Sequence, residues 1–240
     1  MTKSSQELHD AQALAALKAS ALFGVLELEP LRRLLAEIRS VRLDRGQVFQ
    51  SRGVHVDGVV IVVSGFLRIS LSNSEGKRHV VTHLEPGQIF NLLPVMDGGP
   101  AIHDAEAGPD TELLVLPTAS FLQLQRENAV VAAAAQRLLN ARARMIYDGL
   151  ADAMLLTLSQ RCARSLMHVV NAFGEPVGTD GAMSVRLSQS EFAEMLGNAR
   201  PVVNRALKKL QHDGVIEVGY QRIVVLRPSA LRAAAGLQPQ

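Results

Sequence analysis

Val185-Arg186-Leu187-Ser188-Gln189-Ser190-Glu191-Phe192-Ala193-Glu194-Met195-Leu196-Gly197-Asn198-Ala199-Arg200-Pro201-Val202-Val203-Asn204-Arg205-Ala206-Leu207-Lys208-Lys209-Leu210 reads as two short helices joined by a tight turn. Ser188 and Glu191 have the S-x-x-E spacing of a capping box. Each side chain there satisfies a free backbone N–H of the other residue, so a helix starts at this point. Phe192, Met195 and Leu196 give that helix an apolar face. Gly197 ends it, because glycine takes the left-handed backbone that a helix-to-helix turn needs. The second helix turns Val202, Val203, Ala206, Leu207 and Leu210 to one side and Arg200, Asn204, Arg205, Lys208 and Lys209 to the other. Two such helices make a helix-turn-helix.

A second helix of this kind fits the major groove, with its N-terminal residues nearest the base edges. Arginine can donate twice to guanine, and asparagine can pair with adenine. Lys208 and Lys209 lie further along, where side chains reach phosphates and position the protein without reading sequence. Ser188 and Gln189, at the start of the first helix, are further candidate DNA contacts. A basic helical face by itself is commonly just a solvated one; its place in this motif is what gives it meaning. From Asn198 to His212 there are four Lys or Arg residues and no acid, although the whole chain carries a formal charge of only +2. Val215-Ile216-Glu217-Val218, Gly219-Tyr220-Gln221-Arg222 and Ile223-Val224-Val225-Leu226 then read as strand, turn, strand. That is a wing, with Arg222 a candidate for the DNA backbone.

Working towards the N-terminus, residues 158–182 read as a helix from about Ala163 to Asn171 and then a glycine-bearing loop from Val177 to Ala182. Before them, Asn128 to about Thr157 is rich in Ala, Leu, Arg and Met, which favour helix. Ala132, Ala135, Leu139, Ala143, Ile146, Leu150 and Ala153 follow the three-and-four spacing of a coiled-coil seam. Leu138, Ala141 and Met145 form a competing stripe, so packing on the chain's own domain stays open beside dimerisation. From Val41 to Leu116 the texture is short β-branched runs parted by turn signals: Val59 to Val63, Phe66 to Leu71, His79 to Leu84, Glu112 to Leu116. This spacing predicts an antiparallel roll or barrel. Residues from about Leu8 to Ser40 read as helical, and the tail after Leu226 as irregular. The expected class is α+β: an N-terminal β-roll with flanking helices over residues 1–126, a long dimerisation helix over 127–157, and a winged helix-turn-helix over 158–240.

Composition narrows the function. At 240 residues and 48% hydrophobic, the chain should fold into globular domains. No apolar run would span a bilayer, and the start has no signal-peptide core, which together favour the cytoplasm. The single cysteine, Cys162, excludes a disulfide framework, a cysteine zinc site and a cysteine-held iron–sulfur cluster. Arg161 and Arg164 flank it, so a redox sensor stands beside a buried structural thiol. No phosphate loop, nucleophile elbow or dinucleotide fingerprint is present, so an enzyme is not expected.

The sequence resembles the cyclic-AMP receptor protein/FNR (CRP/FNR) family of bacterial transcription regulators, from about Phe23 to Leu226. Three blocks carry the likeness: Val62 through Glu75-Gly76-Lys77-Arg78 to Phe90 in the roll; the long helix before Ser159-Gln160-Arg161; and the L-S-Q-x-E-x-A-x-x-L-G-x-x-R-x-x-V-x-R pattern of the winged motif. The resemblance implies a homodimer joined by the long helix and a near-palindromic site on double-stranded DNA. RNA polymerase is implied as a further partner. It also implies an effector pocket between the roll and that helix, and base-reading positions at Arg200, Pro201, Asn204 and Arg205. Pro201 stands where many relatives carry a base-reading Glu, and it cannot hydrogen-bond a base. It also biases Arg200 away from helical geometry.

Cyclic-nucleotide-binding members use Gly-Glu-Leu and a later Arg-Ser to hold ribose and phosphate. Here the matching residues are Asn91-Leu92-Leu93 and Ala101-Ile102, which offer an anion no side-chain donor from Leu92, Ala101 or Ile102. Cyclic AMP is therefore not the expected effector. Leu92, Leu93, Ala101, Ile102 and His103, with Ile146 and Tyr147 from the long helix, suggest an apolar pocket for a small hydrophobic molecule or a haem. His55, His79, His83 and His103 are the roll histidines available as a haem ligand. A pocket filled by its own side chains is a third reading. The rival function is a regulatory β-roll that binds a small ligand without touching DNA.

Overall fold

A computed structural model describes residues 3–75, 78–178 and 181–237. Gly76 and Lys77 of the quoted roll block, and part of the loop expected at 177–182, lie outside them. The described residues fall into two compact units, one from residues 1–74 with 81–145 and the other from 75–80 with 146–240.

The first unit opens with α1 (Lys3–Ala19) and α2 (Leu28–Leu35) and continues into strands β1 (Arg39–Leu43), β2 (Val48–Gln50), β3 (Gly58–Ser64), β4 (Leu67–Ser72), β5 (Arg78–Leu84) and β6 (Ile89–Phe90). A short α3 (Leu92–Asp97), β7 (Asp104–Ala107), β8 (Thr111–Pro117) and α4 (Thr118–Glu127) follow, and then the long α5 (Ala129–Leu155). The strands form two four-stranded sheets, ordered β1-β8-β3-β6 and β2-β7-β4-β5, with β1–β8, β3–β8, β3–β6, β2–β7 and β4–β7 all antiparallel. This is the expected roll. Ser40, read as helical, belongs to β1: its partner is Leu114 across the β1–β8 ladder, and this pairing overrides the local helical spacing.

The unbroken Val59-Val60-Ile61-Val62 run is explained by burial on both faces. Val60 and Val62 point between the sheets with Leu67, Ile69, Phe90, Leu113 and Val115. Val59 and Ile61 point the other way, into a core with Leu17, Phe23, Leu31, Leu114, Leu116 and Phe121 from the helices and β8. Alternation by two cannot produce a polar face when both faces are covered. Phe23 and Phe121 meet edge to face at 6.4 Å. Gly65 turns β3 into β4 at φ 65, and a Cβ there would stand 2.5 Å from the Pro109 carbonyl oxygen.

The long helix contributes to this core only through its first half. Val131, Ala134 and Ala135 are buried, and Leu138 and Leu139 pack partly against them. Own-domain packing thus takes Ala135 and Leu139 from the expected seam. Beyond them Ala143, Ile146, Leu150 and Ala153 are exposed.

The second unit begins along α5 and continues as α6 (Leu158–Phe173), β9 (Glu175–Val177), β10 (Ala182–Val185), α7 (Gln189–Met195), α8 (Arg200–His212), β11 (Ile216–Gly219), β12 (Arg222–Val225) and α9 (Pro228–Ala234). Its sheet is ordered β11-β12-β10-β9. The wing is therefore a four-stranded sheet rather than a lone hairpin. The segment read as a loop runs only from the last residue of β9 to the first of β10, and the tail read as irregular holds α9. Their common core joins Cys162, Leu166, Phe192, Val203, Leu207, Ile223 and Leu231. Arg227 ties the wing's exit to α8's end, its Nε donating to the Gly214 carbonyl at 2.9 Å and its Nη2 to that of Asp213.

Candidate nucleic-acid interface and effector site

The capping box forms as the spacing predicts. Glu191 N–H donates to Ser188 Oγ at 3.1 Å, and Ser188 N–H donates to Glu191 Oε2 at 2.9 Å. These two bonds fix where α7 starts. Its end is fixed by Gly197 at φ 61, whose N–H reaches the Glu194 carbonyl. Ser188 and Gln189 are half-buried at the α7 start, and Ser188's hydroxyl is committed to the cap.

Helix α8 buries Val203, Ala206, Leu207 and Leu210. Arg200, Pro201, Arg205, Lys208 and Lys209 are exposed. At 100° per residue, Pro201, Arg205 and Lys208 lie along one stripe opposite the buried one. Arg200 opens the helix after an extended Ala199, so the bias from Pro201 does not displace it. Proline at the second helical position lacks only an N–H that would have no partner inside the helix. Asn204 is different: its Oδ1 is buried and has no hydrogen-bond partner in the structure. Two-point pairing with adenine needs that oxygen turned out, so Asn204 must change rotamer before it can read a base. Arg222 is exposed at the start of β12, with Nε held by Ser184 Oγ at 2.7 Å. The wing tip belongs instead to Tyr220, 92% exposed, beside Gln221 at φ 49. Sequence reading missed Tyr220, although its place between Gly219 and Gln221 in a two-residue turn was the available signal.

In the roll, the residues expected to line an apolar pocket separate. Leu92 and Ala101 are fully buried members of the helix-side core. Leu93 and Ile102 are exposed. Ile146 and Tyr147 are 71% exposed on α5. What gathers at the β6–α3 junction is polar. Gln50 and Asn91, both buried, exchange amide hydrogen bonds of 3.1 and 2.7 Å. Asn91 also takes φ 64 as the residue before α3, a left-handed position that asparagine tolerates better than most. Arg142 reaches from α5 to donate to the Ile89 carbonyl. The Arg52 backbone N–H donates to Asp104 Oδ1 at 2.9 Å. His103, half-buried, lies beside them. Of the two leucines expected to line the pocket, Leu92 serves the core and Leu93 faces outward, and an arginine in an Ala/Arg-rich helix looks solvated in sequence.

Residues 40–128 match the cyclic nucleotide-binding domain family, and residues 160–234 match the Crp-like helix-turn-helix domain. The CRP-like cAMP-activated global transcriptional regulator of Mycobacterium tuberculosis is 24% identical over 87% of this chain and 93% of its own. The chain belongs to the CRP/FNR family of transcription regulators. The cyclic AMP receptor protein of Thermus thermophilus is 25% identical, over 91% of this chain and 98% of that one. A solved CRP/FNR-family regulator from Eubacterium rectale superposes with a TM-score of 0.73 over 91% of this chain and 99% of that one, at 19% identity, a likeness of fold. These relatives are regulators of transcription rather than enzymes. No helix among the described residues is long and apolar enough to cross a membrane.

Within this CRP/FNR chain Cys162 is a core residue. It is fully buried, and burial pushes its thiol up to about 11 against the opposing charge of Arg161. Arg164, the other flanking cation, is committed to Asp152 and to the Ala235 carbonyl. His83 packs edge-on against Phe66 at 5.2 Å. No cluster of three or more His, Cys, Asp or Glu able to hold a metal occurs among the described residues.

Burial holds the His103 imidazole below its ordinary value of 6.5; the charges of Arg142 and Arg52 add to this, and Asp104 opposes it. A histidine with a lower pKa folded than unfolded binds more protons when the chain unfolds. Its penalty is absent above the unfolded pKa and grows as pH falls through and below it. His103→Asn is thus expected to lessen the loss of Tm between about pH 7 and pH 5. Thermal unfolding across that range checks this, and a profile matching the parent's would remove His103 from the acid response.

Proposed function

We propose that the chain is a cytoplasmic homodimer that binds a near-palindromic site on double-stranded DNA and acts through RNA polymerase. Its DNA affinity is set by an effector at the roll, and cyclic AMP is not that effector. The observation that carries this reading is α8, a helix held by a capped α7 with Arg200, Arg205, Lys208 and Lys209 free on its outer face. The exposed apolar row on α5 supports the dimer, whose two-fold axis would match a palindrome. Leu92 and Ala101 in the core and an exposed Ile102 leave no side-chain donor where family members clasp the cyclic phosphate. In a purely regulatory β-roll, an outward basic helix of this kind would have no role.

Salt dependence tests the interface. Each phosphate contact contributes a slope of about −0.9 to the log–log plot of affinity against salt. Changing Lys208 and Lys209 to Gln should make the slope shallower by about two units per protomer. An unchanged slope would contradict the assignment of α8 to DNA.

A further inference from the structure

Helices α5 and α6 meet at an elbow of two residues, Leu156 and Thr157. The capping box that starts α6 fixes Thr157: Gln160 N–H donates to its Oγ1 at 3.4 Å, and Thr157 N–H donates to Gln160 Oε1 at 2.9 Å. A cap fixes where a helix starts but not how it leans on the helix before it. The link keeps soft dihedrals at Leu156, so the angle is set by groups that reach across the elbow.

Arg164 is such a group. From the second turn of α6 its Nη1 pairs with Asp152 in the last turn of α5, and its Nε donates to the Ala235 carbonyl at 3.2 Å. That carbonyl lies at the end of α9, where the last backbone acceptors have no partner within the helix. The Arg164 and Asp152 side chains are 27% and 28% exposed, so salt screens this pair less than one on the open surface. Gly236, next along, takes φ 72, and a Cβ on it would stand 3.1 Å from Gln160 Nε2. The end of α9 therefore touches both the cap of α6 and the arginine that crosses the elbow. Leu231 and Ala235 hold it there, buried in the core that also takes Cys162 and Leu166 of α6. Burying those two side chains would by itself close the core; the Ala235 carbonyl and the bare Cα of Gly236 add contacts at the elbow that the core does not require.

We propose that Arg164 and the end of α9 brace the α5–α6 elbow, with Arg164 a positioning residue that sets the half-site spacing the dimer accepts. This deepens the proposed reading of the chain as a dimer on a two-half-site duplex and rests on it. Helix α5 carries the dimer row and α8 the base-reading face, so the elbow decides how far apart, and at what twist, the two α8 helices stand. One added base pair moves the half-sites about 3.4 Å apart and turns them by roughly a tenth of a turn. A braced elbow resists that change, and an unbraced one follows it.

The full-length protein is tested in two ways, the first without DNA. Spin labels at Asp148→Cys and Gln211→Cys, both exposed and in the same unit, report the distance across the elbow; Cys162 is buried and stays unlabelled. Labelled protein is diluted with unlabelled, so that only distances within one chain are read. Arg164→Gln is expected to broaden the distance distribution, and Arg164→Lys to broaden it less. Gly236→Val, which presses a side chain on Gln160 with Arg164 intact, is expected to broaden or shift it. The second test compares duplexes whose half-sites stand one base pair closer or further apart. Preference for the parent's spacing should fall about fivefold in Arg164→Gln, with base preference inside each half-site unchanged. A merely structural loss would instead weaken every duplex alike. If Arg164→Gln does not fold, Asp152→Asn is read the same way. An unchanged distance distribution in the folded variants overturns the proposal, and so does a spacing preference that survives them. An effect of Arg164→Gln with none of Gly236→Val overturns the part given to α9. A parent with no preferred duplex contradicts the DNA reading instead, and the distance measurement then decides the brace by itself.

Discussion

Replacing Ile146 and Leu150 together by Asp is expected to give a folded monomer that has lost nearly all affinity for a two-half-site duplex. Both are exposed on α5, at 71% and 53%, in a row with exposed Ala143 and Ala153. Met145, Tyr147, Met154 and Leu155 flank them, each more than two-thirds exposed. So many large apolar side chains on one segment make a surface that a lone soluble domain rarely leaves open. Burying each such side chain stabilises by about 1.5–3 kcal/mol. A symmetric pair loses each contact twice, so the dimer should weaken at least a hundredfold, at about 1.4 kcal/mol per tenfold. Losing the second recognition helix then removes the gain of about 10²–10⁴ that linked binding gives. Sedimentation velocity and circular dichroism check the first part, and a duplex titration the second. A variant that stays dimeric would place the seam on another surface. The pair is suited to the test because neither residue belongs to the core of either unit.

Arg205→Ala is expected to cost about 1–3 kcal/mol of specific binding and to relax preference at one base position in each half-site. Arg205 is exposed near the middle of the outer stripe of α8, opposite Val203 and Leu207. Affinities for a cognate duplex and for its single-position variants, at fixed salt, give the answer. Equal loss on every duplex would make Arg205 a phosphate contact. Asn204→Ala should cost less than Arg205→Ala. Its amide oxygen is turned inward, so any base contact first requires a rotamer change.

The winged motif was legible in sequence because its signals are local and redundant. A capping box, a left-handed glycine and a helical apolar stripe each point to the same two helices. The roll was legible through its turns and β-branched runs. Strands β9 and β10 were not, since three or four residues beside glycines carry no usable alternation. Helix α9 was missed because Pro228 and the Ala-rich tail look irregular until Leu231 is seen in the core. The effector site was the least legible. Whether Leu92 lines a pocket or fills a core depends on which elements cover it, and Arg142 gains meaning only from the carbonyl it reaches across 53 residues. Long-range partners of this kind leave no spacing to read.

The central claim is that this chain reads DNA with α8 as a two-fold dimer. Selection of duplexes from a randomised pool by the purified protein, at moderate salt with no ligand added, tests it most directly. A near-palindrome whose half-sites lie about one helical turn apart is the expected recovery, with preference relaxed at one position of each half-site by Arg205→Ala. Recovery of no preferred sequence by a folded dimer would contradict it.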